Sequence, residues 1–428
     1  MSYVHWIAGT ILALAWFSRI VDAALGMPSV ADVSRPEWDR NPVLPAGNPR
    51  VSIIVPARNE EQTIEQALNT LLALDYDNFE VIAVNDRSTD STGEIMERIF
   101  ANPRFSQSTR EMGHPAESQN SQPFDRLRAG SVSTKNGEPR TGHPSLCVIH
   151  HTELPAGWLG KTHAMWTAAK QATGDWLLFT DADVLFKADS LRRALAYAES
   201  VPADHVVLFP RMIMKRPGEY MMIAFFQTMF MFGHRPWKVA DPSTDDHMGV
   251  GAFNLVRRRV YDAVGTYAAL RMEVLDDMKL GKVVKQAGFA QRNVFGGDLI
   301  SIRWGKGALG IVNNLTKNFF AVLSFQWWRA VISAFGLAFL NFGPFLGVFL
   351  AHGWARVPYA VALGSMFSIY IGMSWRSAVP AYYFLLHPVS TALFIYTLLR
   401  SMILTLWNKG IVWRGTKYPL EELRKGMV

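Results

Sequence analysis

Two hydrophobic rhythms alternate through the first half of the chain. Val51–Ala57 (VSIIVPA) is a short apolar run rich in β-branched residues, which predicts a buried strand. Glu60–Leu74 then carries Ile64, Ala67, Leu68, Leu71 and Leu72 at the spacing of an amphipathic helix. Phe79–Asp86 (FEVIAVND) predicts a second strand, and Ser91 with Glu94 three residues on fits a capping box opening a helix to Ile99. Leu146–His150, a helix from Lys161 to Ala172, the run Trp176–Thr180 and the apolar stretch Val206–Phe209 continue the alternation. Strand following helix in this way predicts an α/β fold, a mostly parallel sheet with helices on both faces.

Toward the C-terminus the rhythm gives way to long uncharged runs. Ala330–Ala355, Val357–Trp375 and Ser377–Leu399 hold 26, 19 and 23 residues without a formal charge. Each is long enough to cross a hydrocarbon core of about 30 Å as a helix. Met1–Ser18 is also uncharged and is followed, rather than preceded, by Arg19, which predicts an uncleaved anchor instead of a signal peptide. The expected organisation is an anchor over 1–25, a linker over 26–50, with three prolines in Glu37–Arg50, and a globular α/β domain over 51–304. An interfacial segment (305–329), about three spans (330–407) and a basic tail (408–428) complete it. Residues 101–145, rich in Ser, Pro, Gly, Asn and Arg, predict a disordered insertion in a surface loop. Arg19 places the globular part in the cytosol by the positive-inside rule. Four spans would return the C-terminus to the outer side, whereas Lys409, Arg414, Lys417, Arg424 and Lys425 favour the cytosol. Either one run is re-entrant or interfacial, or the anchor does not cross.

Composition sharpens this division. Charged residues make up 18% of the 428, below the soluble average of about 25%, and no Asp or Glu occurs from Leu299 to Leu420. The net charge of +7 reads as affinity for anionic lipid rather than nucleic acid, because no Arg/Lys-rich arm or zinc-type Cys/His spacing accompanies it. The single Cys147 excludes an internal disulfide and a cysteine metal cluster, and its apolar strand predicts a buried thiol. Acid-free spans also lack the carboxylates of a cation-coupled transporter.

Candidate chemistry gathers where predicted strands end, the edge at which parallel sheets bind ligands. Arg58-Asn59-Glu60, Asn85-Asp86 and Asp181-Ala182-Asp183 all stand there. One such acid is ordinarily a cap or turn former, but three at one edge point to a site. Asp181 and Asp183 at i and i+2 can face one divalent cation, and oxygen-only ligands suit Mg²⁺ or Mn²⁺. Glu273-Val-Leu-Asp276-Asp277 opens a further predicted helix. These acids either complement its dipole or supply a general base.

VSIIVPARNEE, VNDRSTDST, GDWLLFTDADV and LDDMKL, in this order, resemble a family 2 glycosyltransferase. The resemblance covers Val51–Trp304 apart from the insertion, and implies the nucleotide-diphospho-sugar (GT-A) fold. With LPAGWLGKTHAM (Leu154–Met165) and WRGTKYPL (Trp413–Leu420), the chain is most similar to hopene-associated, carotenoid and ceramide-type enzymes. The resemblance implies a nucleotide pocket lined by Pro56, Ala57 and Glu60, with Asp86 on the base or ribose and Lys161 near the diphosphate. Asp181 would approach the sugar-nucleotide, Asp183 would bind the metal, and Asp277 would be the base, with Asp276 the rival assignment. It further implies an inverting transfer from a UDP-sugar to a membrane lipid, by an enzyme of a bacterial-type inner membrane facing the cytosol. Polymer synthases carry Gln/Arg-x-x-Arg-Trp after the base. Here Ile300 occupies the leading position before Arg303-Trp304, which favours single transfer over a polysaccharide synthase or polyprenyl-phosphate enzyme. Arg303 would contact the diphosphate and Trp304 the acceptor, unless both are interfacial anchors. Met221–Gly233, with Phe225 and Phe226, is too short to span: it is either a core helix or an in-plane mouth for a lipid acceptor.

Overall fold

A computed structural model describes residues 2–42, 47–102, 127–129, 145–377 and 379–427. The chain forms two compact units. One combines Asp32–Arg211 with His247–Ile302, and the other Met1–Ala31 with Met212–Asp246 and Arg303–Met427.

The first unit is built on an eight-stranded sheet. Its strands are β1 (Val51–Ala57), β2 (Phe79–Asp86), β3 (Leu127–Ala129), β4 (Ser145–His151) and β5 (Trp176–Phe179). In chain order follow the two-residue β6 (Leu185–Phe186), β7 (His205–Phe209), the short β8 (Arg211–Met212), β9 (Asn254–Arg257), β10 (Gln291–Phe295) and β11 (Ile300–Ile302), of which β6, β8 and β11 form a separate three-stranded sheet. The spatial order is β10-β7-β9-β5-β1-β2-β4-β3. β1 runs parallel to β2 and β5, β2 to β4, and β7 to β10, while β9 runs against both β5 and β7 and β3 against β4. The expected mostly parallel α/β sheet is therefore present, with β9 inserted antiparallel at its centre.

β1 is buried at all seven positions, as a strand covered on both faces requires. On one side Ile54, Ile82 and Ile149 pack against Ala164, Met165 and Ala168 of the Gly160–Gln171 helix and Leu280 and Val284 of the Asp276–Gln286 helix. The helices predicted from Glu60 and from Ser91 occupy Ile64–Leu72 and Thr92–Phe100. The capping box does not form. Ser91 makes no side-chain cap, and Asp90 instead accepts the N–H (3.0 Å) and hydroxyl (2.6 Å) of Thr92. An aspartate one residue earlier reaches the first free N–H more directly than the serine. Cys147 lies half-buried in β4, and burial pushes its thiol up to about 11.

Within the segment expected to be a linker, Val33 is fully buried and its N–H donates to the Phe295 carbonyl (2.8 Å), so this stretch covers the edge strand β10. Arg193 holds the stretch further through the Arg35 carbonyl (2.9 Å) and Asp39 (2.8 Å). Of the predicted insertion, residues 103–126 and 130–144 lie outside the described residues.

Among the described residues, the second unit contains four helices long and apolar enough to cross a membrane: Tyr3–Ser29, Trp327–Leu350, Gly353–Arg376 and Ala381–Trp407. The N-terminal helix runs on through Asp22, whose charge meets Arg19 (3.3 Å) and the Trp237 indole N–H (3.1 Å). The last span differs from the sequence expectation. A 3₁₀ turn over Ala381–Leu386 precedes an α-helix at His387–Trp407, so Arg400 falls inside it and donates to Thr316 (2.7 Å). Pro380 and Pro388 explain the shift, because proline belongs at helix starts rather than interiors. Pro217–Gly233 is a separate helix too short to span, with Phe225 in the core of this unit.

Ile54 lies at the centre of the sheet with no solvent exposure. Ile54→Ala is expected to cost about 2–4 kcal/mol through lost burial and a residual cavity. A lowered thermal midpoint of detergent-purified protein checks this, with Val412→Ala, at an exposed position, as the near-neutral control.

Candidate functional site

The register of the sheet brings the polar strand ends to one edge. Phe179 stands level with Ile54, and Ile54 with Ile82, so the residues after β1, β2 and β5 leave the sheet together. The loops that follow β1 and β2 brace one another. Asn59 donates its N–H to Ser88 (3.0 Å) and accepts that of Thr89 (2.8 Å), while the Glu60 N–H donates to Thr92 (2.7 Å). Asn59 and Arg87 both take positive φ (54° and 55°), which turns each loop sharply at the strand end. Pro56 and Ala57 are buried at the end of β1, and Asp86 is buried at the end of β2. Its carboxylate takes two hydrogen bonds from Arg87 (2.8 and 3.0 Å) and lies 3.8 Å from Arg58. A Cβ on Gly160 would stand 2.1 Å from Asp86 Oδ2, so only glycine admits the helix start that close.

Asp181 and Asp183 flank the buried Ala182, with Val184 buried next, so burial alternates at period two and both acids stand on the more open side. The Lys161 ammonium lies 2.8 Å from Asp181 Oδ1 and 3.3 Å from Asp276 Oδ1. It comes from the first turn of the Gly160–Gln171 helix. That start is pinned by the Leu159 N–H (2.8 Å) and the Thr162 hydroxyl (2.7 Å), both donating to the Arg271 carbonyl. Asp276 and Asp277 open the other helix, where the dipole favours negative charge. Asp276 is buried. Asp277 is more open, and accepts the N–H of Met278 (2.8 Å).

Burial, opposed by Lys161 and reinforced by Asp277 and Asp181, raises the Asp276 carboxyl above the ordinary range. Burial also raises Asp277, against the pull of Lys161 and of the Met278 and Gly251 N–H groups. For Lys161 burial acts downward, but the three carboxylates outweigh it and keep the ammonium charged. Three acids thus face one cation. Among the described residues no group of three or more His, Cys, Asp or Glu side chains is placed to hold a metal by itself. The protein's hard oxygen donors suit a cation that completes its shell with ligand oxygens and water.

Sequence reasoning brought Lys161, Asp181, Asp276 and Asp277 to one place, and the structure gathers them. Pro56, Ala57, Glu60, Asp86 and Asp183 lie in the same unit, whereas Arg303, Trp304, Phe225 and Phe226 fall in the membrane unit. Arg303 donates to Glu219 (2.7 Å), whose two oxygens also accept the N–H groups of Gly307 and Lys215 (2.8 Å each). Burial raises the Glu219 carboxyl, yet these bonds outweigh it and hold it down to about 2. Trp304 meets Phe226 edge-on with centroids 4.5 Å apart, and Phe225 is fully buried between His387 and Phe394. The segment Met248–Phe253, which carries no periodic pattern, went unread. Its only signal was a pair of glycines, Gly249 and Gly251, in an otherwise apolar run.

A sequence model described as glycosyl transferase family 2 matches residues 52–114 and 142–279. The 4,4'-diaponeurosporenoate glycosyltransferase of Staphylococcus haemolyticus (strain JCSC1435) is 22% identical over 255 residues, covering 59% of this chain and 56% of that protein. The chain thus spans little more than half the length of that curated relative. The probable glycosyltransferase YdaM of Bacillus subtilis (strain 168) is 48% identical over 50 residues, 11% of this chain and 12% of its own. Among solved structures, the mannosyltransferase PcManGT from Pyrobaculum calidifontis, in complex with GDP-Man and Mn²⁺, shares the fold at a TM-score of 0.50 and 18% identity. That likeness covers 95% of this chain and 99% of that one.

The Glu219–Arg303 pair makes a direct prediction. Arg303→Met leaves a buried carboxylate without its cation and is expected to cost about 3 kcal/mol or more. The thermal midpoint should fall, and the double variant with Glu219→Gln should recover most of the loss.

Proposed function

The chain belongs to glycosyl transferase family 2, and from that premise we propose that it moves one sugar from a nucleotide-diphosphate donor, a UDP-sugar, to a membrane lipid. The acceptor is a hydroxyl or carboxyl on a hopanoid, carotenoid or sphingolipid-like molecule, and the enzyme faces the cytosol from an inner membrane. The observation that carries this reading is the cluster of Lys161, Asp181, Asp276 and Asp277 at the ligand-binding edge of the sheet. The four helices able to cross a membrane, and a relative named for a carotenoid acid, support a lipid acceptor.

Each residue then has a task its chemistry suits. Pro56, Ala57 and Glu60 line the nucleotide pocket, and Asp86, already held by Arg87, meets the base or ribose. Lys161 sets a positive charge beside the diphosphate. Asp181 faces the sugar. Asp277 takes the proton of the acceptor as its oxygen attacks the anomeric carbon, the nucleotide leaves from the opposite face, and the configuration inverts. Asp277 rather than Asp276 has this part because Asp276 is buried and paired to Lys161, whereas Asp277 is more open. Raising a carboxylate above its ordinary range makes it a better base near neutral pH. Arg303, held by Glu219, and Trp304 beside Phe226 are assigned to the diphosphate and the acceptor side.

Asp183, with Asp181 beside it, would hold Mg²⁺ or Mn²⁺. The fit rests on oxygen-only donors and on an excess of carboxylate over ammonium that would otherwise repel a diphosphate. When bound, such a cation supplies charge that stabilises a departing diphosphate.

The test is UDP release by detergent-purified full-length protein, given UDP-sugars, extracted membrane lipids and Mn²⁺ or Mg²⁺. Turnover is expected to require lipid and metal. Asp277→Asn should lower kcat by about 10²–10⁴-fold, the range of general-base loss, and Asp183→Ala should abolish metal-dependent turnover. The base works only when deprotonated, and burial raises its pKa. Rate should therefore be lost as pH falls, through an apparent pKa above the ordinary value of about 4. No donor binding in the wild-type protein would sink the enzyme reading, and turnover that builds a polymer would replace single transfer with a synthase.

A further inference from the structure

Between β8 and β9 the chain passes the candidate site in an irregular stretch, Met248–Phe253, that no motif draws attention to. Its middle residue touches both halves of the site through its backbone. The Gly251 carbonyl accepts the Asp181 N–H at 3.0 Å, and the Gly251 N–H faces the Asp277 carboxylate, which it helps to hold down. One residue therefore ties the end of β5 to the first turn of the Asp276–Gln286 helix, elements nearly a hundred positions apart in sequence.

The surroundings leave this bridge little freedom. A Cβ on Gly251 would stand 2.5 Å from Asp181 Oδ2. One on Gly249 would meet the Asp277 carbonyl oxygen at 1.8 Å, and one on Gly281 the Met248 carbonyl oxygen at 1.9 Å. Backbone thus packs on backbone at Gly249 and Gly281, and on the Asp181 carboxylate at Gly251. Gln291 of β10 fixes the start of the stretch: its Oε1 accepts the Met248 N–H (2.8 Å), and its amide N–H₂ reaches the carbonyls of Met248 and Gly281 (3.1 Å each). His205 orients that amide, with Nδ1 2.7 Å from Gln291 Nε2 and Nε2 2.9 Å from Asn254 Oδ1. At the far end the Thr180 hydroxyl donates to the Ala252 carbonyl (2.8 Å).

We propose that Gly251 is a positioning residue for the transfer step, its peptide setting the spacing between the sugar-facing Asp181 and the base Asp277. This rests on the functional reading above. The contacts assigned to the base and ribose lie at β1 and β2, away from Gly251, so binding of the nucleoside part of the donor is independent of the bridge. The relative placement of donor and base is not, and a displacement of about 1 Å at such a point costs on the order of 10²-fold in rate.

Gly251→Ala is the informative variant, because its new methyl meets the end of a side chain rather than backbone. It is expected to lower kcat at least about 30-fold while the donor KM stays within about threefold and the thermal midpoint is unchanged, the signature of an interaction made in the transition state. Exchange of the 250–251 amide for an ester, by incorporating glycolate at 251, removes the N–H without adding a methyl. It should lower kcat in the same way, and stands as the reading should Gly251→Ala not fold. A kcat within threefold of wild type overturns the proposal. So does a kcat loss matched by a rise in KM or a fall in thermal midpoint, which assigns Gly251 to structure alone. Asp277→Asn runs alongside. If it is inactive while Gly251→Ala is fully active, the bridge fails and the functional reading stands; if the wild type itself turns over no donor, both fall.

Discussion

One ammonium among several carboxylates is the constraint on which the globular unit turns. Lys161 lies within 3.3 Å of both Asp181 and Asp276, and Asp277 follows directly in the chain. At an effective dielectric of about 20, opposite charges some 4 Å apart attract by about 4 kcal/mol. Two such contacts oppose the cost of burying the ammonium, and three acids face a single positive charge. The neighbouring backbone is organised around this. The Arg271 carbonyl fixes the start of the lysine's helix, glycines at 160, 249, 251 and 281 let main chain approach closely, and Gln291 anchors the opposing loop.

Polar groups in the membrane unit obey the same rule with lower charge. His387 accepts or donates to Tyr370 (2.9 Å) and Asn341 (2.8 Å), and the Asn341 amide reaches back to the Leu337 carbonyl (2.8 Å). Asp22 has Arg19 and Trp237, and Glu219 has Arg303 and two backbone donors. An unsatisfied polar group in an apolar interior costs several kcal/mol, so each has a partner within reach. These pairings also explain why an acid or base inside a span did not interrupt the helix. The uncharged run of the last span stops at Leu399 in sequence, but the helix continues because Arg400 has Thr316 as a partner.

What was legible in the sequence was what depends on local pattern. Fully buried strands such as VSIIVPA announce themselves by composition, the amphipathic helix at Ile64–Leu72 by its spacing, and the spans by sheer length. The acids at strand ends could be aligned because a parallel sheet sends every carboxyl end to one edge. Illegible features were those fixed by distant partners. β9 runs antiparallel between β5 and β7, and four residues without alternation could not declare it. The Ser91 cap lost to Asp90 by a difference of one residue in reach. Gly249 looks like a loop glycine until the peptide of Asp277 is placed beside it, and Gly251 until the Asp181 carboxylate is.

The same charge cluster also bears on whether the α/β unit is a working site or only a scaffold. A fold selected for stability alone replaces buried like charges, since each such carboxylate pays desolvation and repels its neighbours. Here Asp276 and Asp277 are both raised by burial, Asp181 repels both, and one lysine cannot neutralise the set. Ion-paired structural networks elsewhere in the unit look different. Glu199 with Arg257, or Asp39 with Arg192 and Arg193, balances acid against base. An uncompensated excess of buried acid, aligned at the ligand-binding edge and framed by glycines that a Cβ would jam, is unstable as architecture and useful only when a cationic or proton-donating partner arrives. That asymmetry is what separates a site from a decoration of charged residues.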